Sequence, residues 1–562
     1  MPMNRPSAIL ASAILFGLAA CGGGGGGGGG SSAPPAPPPP PSPPPSGGSG
    51  PTYTPGVYED ASLFKDQCET PRTGVDIEGN PFPDEAGSLL EELLWLRSWT
   101  DETYLWRTEV PDLDPDNYTA RVPYFDDLKT SAVTASGEAK DDFHFSEPTE
   151  DYLAARNSAP SPAYGASYAI LAATPPRDVR IRYVEPGSPA AEIVSGQQNL
   201  IRGTRLLSVD GIDIVNAASQ AAVNQINAAL FPDTVGESHT FTVSDPGTSA
   251  TRTVTLSAAN ISRQPVIRTS VIPTATGDVG YIVFNTFSPF SSEKQIADAM
   301  QTLATAGVTD LVLDLRYNGG GLLAVASQLS YMIAGNSRTS NRTFELLRFN
   351  AAAGNINPVT GEVNSPIPFY RTGLGFSLTN GASLPTLDLG RVYILSTGST
   401  CSASEAVING LRGIDVEVVL IGDITCGKPY GFYPQDNCGQ TYYTIQFQGV
   451  NDKNFGDFAD GFVPANSSFA FGVETPGCVV RDDFQNQLGD TSEALLAAAL
   501  QYRSDGTCPA LPPGASADPS GEKGTASAPD ETLGARLELP EPDVLENNMD
   551  LSMPGDYRGR SQ

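Results

Sequence analysis

A chain of 562 residues with 33 lysines and arginines against 64 aspartates and glutamates carries a net charge of −31 at neutral pH. Such a surface repels a phosphate backbone, which excludes a general nucleic-acid binder. The chain has only two histidines, His144 and His239, which excludes any mechanism built on a histidine cluster, and the length predicts about three folded units.

In chain order, Arg5 precedes an apolar run over 8–20, too short for a typical membrane span and suited to a secretory signal. The run closes on Leu18-Ala19-Ala20-Cys21, which resembles a bacterial lipobox, so residues 1–21 are expected to be a signal peptide with lipidation at Cys21. A plain signal peptide with a chance cysteine is the alternative. Nine glycines over 22–30 and the proline-rich stretch 34–45 make 22–52 a linker, flexible and then stiff, that holds a folded body off a membrane. The expected location is the cell envelope, anchored by lipid; Gly22 rather than Asp follows the cysteine, and the resemblance to bacterial lipoproteins then implies the outer membrane, facing the periplasm. At the other end, 511–562 is rich in Pro, Gly, Ala and acidic residues without periodicity and reads as a disordered tail.

Secretion decides the chemistry of the six remaining cysteines, Cys68, Cys401, Cys426, Cys438, Cys478 and Cys508. They are even in number, none stands in a CxxC spacing, and disulfides rather than zinc are expected; six cysteines allow 15 pairings.

Residues 53–160 read as a small helical domain. Over 89–106 apolar residues recur at three and four residue spacings, and the aromatic stripe Trp95, Trp99, Tyr104 and Trp106 reads as core. Residues 161–262 are β-rich, with short strands over 167–170, 179–184, 205–209, 240–243 and 251–256 separated by turns such as Glu185-Pro186-Gly187-Ser188 and Asp210-Gly211. VEPGSPAAE followed by LIRGTRLLSVDG resembles a PDZ domain of bacterial proteases, with Gly203-Thr204 where that pattern has Gly-Asp. The resemblance implies capture of protein chain ends by strand addition, at a binding loop containing Tyr164, Gly165 and Tyr168. A unit that only docks on its neighbour is the alternative.

Residues 263–510 alternate strands and helices: strand 279–284, helix 292–306, strand 311–315, a helical run to 334, strand 391–396, helix 402–412 and strand 416–421. This predicts an α/β core with a buried, largely parallel sheet. Ser402 opens the helix after Thr400-Cys401, where free backbone N–H groups would stabilise an oxyanion. On that motif alone an ordinary N-cap is the usual role of a serine in this place. Twenty-six residues on, Lys428 follows a glycine turn at the same sheet end, where desolvation would make it a general base for the Ser402 hydroxyl.

DLRYNGGG, STCSASEAVINGLRG and IGDITCGKPYG, in this order behind the PDZ-like segment, resemble peptidase family S41, the C-terminal processing or tail-specific serine proteases. The resemblance covers about residues 85–505 and implies a core of the ClpP and crotonase type. It also implies Ser402 as nucleophile, Lys428 as base, the N–H groups of Gly320 and Ala403 as oxyanion hole, and no metal or organic cofactor. Asp460-Gly461-Phe462-Val463-Pro464 looks like a divergent form of a later family segment. Two departures stand out. Phe432 occupies the place of a glutamine that orients the lysine in many relatives, leaving Gln435 as a candidate orienter, and His144 lies where tricorn-type branches place a catalytic histidine. His239 reads as surface.

If Ser402 and Lys428 meet, their turns are neighbours, and Cys401 and Cys426 then stand close enough for a disulfide, with two buried thiols as the alternative. The expected function is a serine-type endopeptidase acting on protein or peptide substrates, with selection through their C-termini as a further expectation. The rival is a catalytically silent PDZ lipoprotein that binds proteins or envelope components. No residue pattern fixes an oligomeric state.

Overall fold

The computed structural model describes residues 50–510, Leu537 and the strand Met549–Asp550. The expectations for the signal peptide, Cys21 and most of the linker lie outside the described residues, as do those for the acidic tail apart from Leu537 and 549–550. No described helix is long and apolar enough to cross a membrane.

Helix α1 (Leu89–Thr103) starts where the Ser88 hydroxyl accepts from the Glu91 N–H, and two acidic residues in its first turn favour the positive end of its dipole. Its buried face carries Leu93, Trp95, Leu96 and Trp99, and the two indoles stack at 5.1 Å. Trp95 and Trp99 are core, packed with α2 (Arg121–Asp127) and with Tyr442 from far along the chain, whereas Tyr104 and the half-buried Trp106 lie past the helix end and pack with Tyr430 in a separate cluster. This is more than a free-standing helical unit. The strand Phe145–Pro148, just before α3 (Thr149–Arg156), pairs antiparallel with Gln440–Tyr443, and the Cys68–Cys438 disulfide ties the segment down again with a Cα separation of 5.4 Å.

Residues 161–261 build a twisted antiparallel sheet from β1 (Ala166–Ala172), β2 (Asp178–Val184), β3 (Arg205–Val209), β4 (Ser238–Ser244) and β5 (Thr251–Ser257), with helix α4 (Gln220–Leu230) between β3 and β4. The strand order is β5-β4-β3-β2-β1, which leaves β1 at an edge. Period-two alternation sends Val179, Ile181, Phe241, Val243, Val254 and Leu256 to one face, where Val223 and Ile226 of α4 cover them. After Pro186-Gly187-Ser188 the chain makes a single 3-10 turn, Pro189–Ala191.

The third sheet has six strands in sequential order: β6 (Val266–Ile272), β7 (Val279–Phe284), β8 (Asp310–Asp314), β9 (Arg391–Ser396), β10 (Glu417–Gly422) and β11 (Gly477–Val479). Only β6 runs antiparallel to its neighbour; the other pairings are parallel. A parallel sheet that advances one strand at a time by right-handed crossovers puts all its crossover helices on one face. That is where α5 (Ser291–Ala306), α6 (Leu323–Thr339) and α7 (Ala403–Gly413) lie, packed on Ile282, Phe284, Leu311, Leu313, Ile394 and Leu420. The intervening residues Tyr281, Val283, Val312, Leu395 and Ile421 face the opposite way, under α8 (Ala494–Asp505). Both faces being covered, the strands read in sequence as unbroken apolar runs.

Candidate active site

The carboxyl ends of β8, β9 and β10 converge on one set of turns, the place where an open α/β sheet receives ligands. After β9 the chain runs through residues 397–401 into α7, and Ser402 stands at the helix N-cap with φ +60° and ψ −113°. A non-glycine residue held there costs about 1–3 kcal/mol, so the surrounding contacts must over-determine it. They do. Cys401 donates its N–H to Asn318 O at 3.0 Å, the Ser404 hydroxyl donates to the same oxygen at 2.9 Å, and the Thr400 hydroxyl donates to Leu315 O at 2.8 Å. The Ser402 side chain is fully buried, and its Oγ has no hydrogen-bond partner among the described residues.

Glu405, one turn into α7, joins this turn to the next. Its Oε2 accepts the N–H groups of Ser402 at 3.0 Å and Lys428 at 2.8 Å, while Oε1 accepts the Thr425 hydroxyl at 2.6 Å and the Gly427 N–H at 2.9 Å. One carboxylate oxygen shared by two donors holds the main-chain nitrogens of Ser402 and Lys428 within about 6 Å of each other. Burial pushes the Glu405 carboxyl up, and these four donors act against that push by favouring the ionised form. The Cys401–Cys426 disulfide fastens the same two turns, with a Cα separation of 5.1 Å. The third described bridge is Cys478–Cys508.

Lys428 is fully buried, with its ammonium 4.5 Å from the ring centre of Phe143 and 4.7 Å from that of Phe432. Desolvation lowers its pKa to about 7, although the charges of Asp141 and Glu405 pull the other way. Asp141 is itself held in place, accepting from the Tyr104 hydroxyl at 2.6 Å and the Phe143 N–H at 3.0 Å. Gly427 precedes the lysine with φ +86°, and a Cβ there would lie 2.3 Å from Ala459 O. Only glycine allows the 425–428 turn to pack against 459–461. The Asp460 to Pro464 segment thus supports the lysine turn, and the Thr425 hydroxyl accepts the Phe462 N–H at 2.8 Å.

The glycine loop after β8 lies alongside. Asn318 is its pivot: its Nδ2 donates to Phe284 O at 2.9 Å and its Oδ1 accepts the Gly320 N–H at 3.0 Å. Gly320 is therefore beside the site with its N–H already engaged, whereas the N–H of Ala403, at the first position of α7, has no intrahelical acceptor. A Cβ on Gly321 would meet the Ser288 nitrogen at 2.3 Å, so this loop cannot carry a side chain. Below it the buried Arg316 bridges Asp314, Asp482 and Glu493 at 2.8 Å each, tying the loop to α8.

His144 does not enter the site. It stacks on Phe125 at 3.9 Å, its Nε2 bonds to Phe125 O at 2.8 Å, its Nδ1 pairs with the Thr444 hydroxyl at 3.2 Å, and burial lowers its pKa to about 4. Gln435 lies in the strand Gln435–Asn437 and donates to the adjacent Pro434 O at 3.0 Å. His239 lies between Asp210 and Glu237 on the β-rich unit; those side chains raise its pKa against a desolvation that lowers it. Tyr164 and Tyr168 are buried in the core of that unit, Tyr168 donating to Leu230 O at 3.3 Å, and Gly165 O accepts the Glu185 N–H at 2.7 Å. The sequence reading assigned no role to Glu405, Asn318 or Asp141. Glu405 stands three residues after an N-cap serine, the spacing of a capping box, and that was the available signal.

Comparison with known proteins points the same way. Residues 278–434 match the family model of peptidase family S41. The carboxyl-terminal-processing protease of Picosynechococcus sp. (strain PCC 7002) is 33% identical over 148 residues, 26% of this chain and 32% of that protein, so the chain spans about a third of the length of the curated relative it matches. A solved chain from Bacteroides fragilis NCTC 9343, described as an S41 protease, superimposes with a TM-score of 0.55 at 25% identity, covering 74% of this chain and 97% of that one. The photosystem II D1 C-terminal processing protease is similar over 69% of this chain and 93% of its own, at 18% identity and a TM-score of 0.38.

Proposed function

We propose, from the match of residues 278–434 to the family model of peptidase family S41, that the protein is a serine-type endopeptidase in which Ser402 is the nucleophile and Lys428 the general base. One observation carries this reading above the others: a buried, backbone-strained Ser402 and a buried Lys428 with a pKa near 7 both hang from a single oxygen of Glu405. Neutral Lys428 takes the Ser402 proton as Oγ bonds to the substrate carbonyl carbon. The Ala403 N–H stabilises the oxyanion, and Gly320 joins it if its N–H turns away from Asn318. The ammonium of Lys428 then protonates the leaving amine as the C–N bond breaks, and water releases the acyl group by the same proton path.

The reading extends to protein substrates drawn from the cell envelope, bound by strand addition to the β-rich PDZ-like unit and selected through their C-termini, with the enzyme anchored at Cys21. Three disulfides formed among the six cysteines support an oxidising compartment. The deciding experiment compares protein termini in cells carrying the wild type or Ser402→Ala. New termini confined to the wild type support the endopeptidase. Identical termini, together with failure of the purified protein to cut denatured proteins, would leave a binding scaffold instead.

A further inference from the structure

Two short pieces of the acidic C-terminal region return to the folded body, and each lands where the proposed function places substrate. Leu537 is 1% exposed, within the apolar cluster that holds Tyr164, Tyr168, Val223 and Ile226. Its N–H donates to Ala173 O at 2.9 Å, immediately after β1, the edge strand of that sheet. A main-chain bond at a sheet edge with an apolar side chain between strand and helix is how an extended peptide adds to such a unit. The second piece, Met549–Asp550, pairs in parallel with Gly321–Leu322, in the register Gly321 to Met549 and Leu322 to Asp550. It also approaches Tyr430–Gly431. Gly321 directly follows Gly320, and Tyr430 stands two residues beyond Lys428, so this backbone lies between the two halves of the site.

We propose that the C-terminal segment is an intramolecular ligand of the peptidase: Leu537 fills the side-chain pocket of the β-rich unit, the chain at 549–550 takes the strand position a substrate would use, and the tail thereby competes with protein substrates in cis. Tethering makes this feasible with modest intrinsic affinity. At an effective concentration of about 1 mM, a segment that binds with a Kd of about 100 µM suppresses access roughly tenfold. The proposal rests on the endopeptidase reading for its effect on turnover but not for the binding itself, and the two are measured separately.

The test uses the full chain with and without Leu537→Asp, each in an active form and a Ser402→Ala form, after matching unfolding curves are verified. In the active pair, kcat/KM for a quenched-fluorescent peptide should rise about tenfold with Leu537→Asp, mainly through KM. In the Ser402→Ala pair, a labelled synthetic peptide of residues 531–553 should bind about tenfold more tightly when the resident segment carries Leu537→Asp, and the same peptide bearing that change should bind at least tenfold more weakly. Equal kcat/KM in the active pair with equal peptide affinity in the inactive pair would overturn the proposal. So would loss of the tail from purified active protein but not from Ser402→Ala, because the segment would then be a substrate rather than a resident competitor. If neither active form turns over, the endopeptidase reading fails, and the peptide affinities alone decide whether the segment is a ligand.

Discussion

Lys428 is the residue with most at stake in being buried. An amine whose folded pKa is depressed to about 7, against about 10.4 when exposed, binds fewer protons folded than unfolded between those values. Stability therefore rises with pH through that window, and below it the protein carries the cost of a buried ammonium. Lys428→Met is expected to abolish turnover while raising the melting temperature at pH 6–7, which scanning calorimetry and a peptide assay would check together. Ser402→Ala should lower kcat by at least a thousandfold, with the double variant little worse than either single one because the two act as a unit. For the wild type, kcat/KM should climb through about pH 7 and level off above it. Glu405 governs the same midpoint from the other side. An amide at 405 turns an N–H₂ toward two donors wherever it points, so Glu405→Gln should cost about 1–3 kcal/mol of stability. Losing its negative charge should also move the acidic limb of the profile to lower pH. An unmoved limb would reduce Glu405 to a structural clamp.

At the scale of elements, strand Thr343–Arg348 carries a buried Glu345 whose Oε1 has no hydrogen-bond partner among the described residues, and burial raises its pKa to about 8. Here the folded state holds the proton and the unfolded chain, near 4.3, has lost it. Stability is therefore full below about pH 4 and falls as pH rises toward 8, by up to about 1.4 kcal/mol per pH unit. Glu345→Gln should flatten that dependence and raise the melting temperature most at alkaline pH, as thermal unfolding at several pH values would report. The elements that positioned the site were legible in the sequence wherever pairing was local in pattern: β7, β8, β9 and β10 are apolar runs because both faces are covered, and α7 follows its serine directly. The edge strand β6 and the strand Phe145–Pro148 were not. The first is mixed in polarity, and the second pairs with residues 440–443 almost 300 positions away, which no local period records. Glu405 escaped for a related reason: an acid in the first turn of a helix is ordinary, and only the fold brings Thr425, Gly427 and Lys428 to it.

At the scale of the whole molecule, the site is walled by chain from both ends of the sequence. Phe143 and Asp141 come from before the β-rich unit, α8 locks Arg316 from behind, and Met549–Asp550 comes from near the C-terminus. The Cys68–Cys438 bridge spans a sequence separation of 370 and so closes most of the folded body into one covalent ring. A single cut between residues 69 and 437 would open that ring without freeing any piece, and on a non-reducing gel a nicked molecule would migrate close to an intact one. Maturation by peptide-bond cleavage in that interval would thus stay hidden until reductant is added, whereas trimming before Cys68 or beyond Cys508 changes the mass at once. The ring makes the two ends of the chain the places where this protein can be shortened and remain a single object.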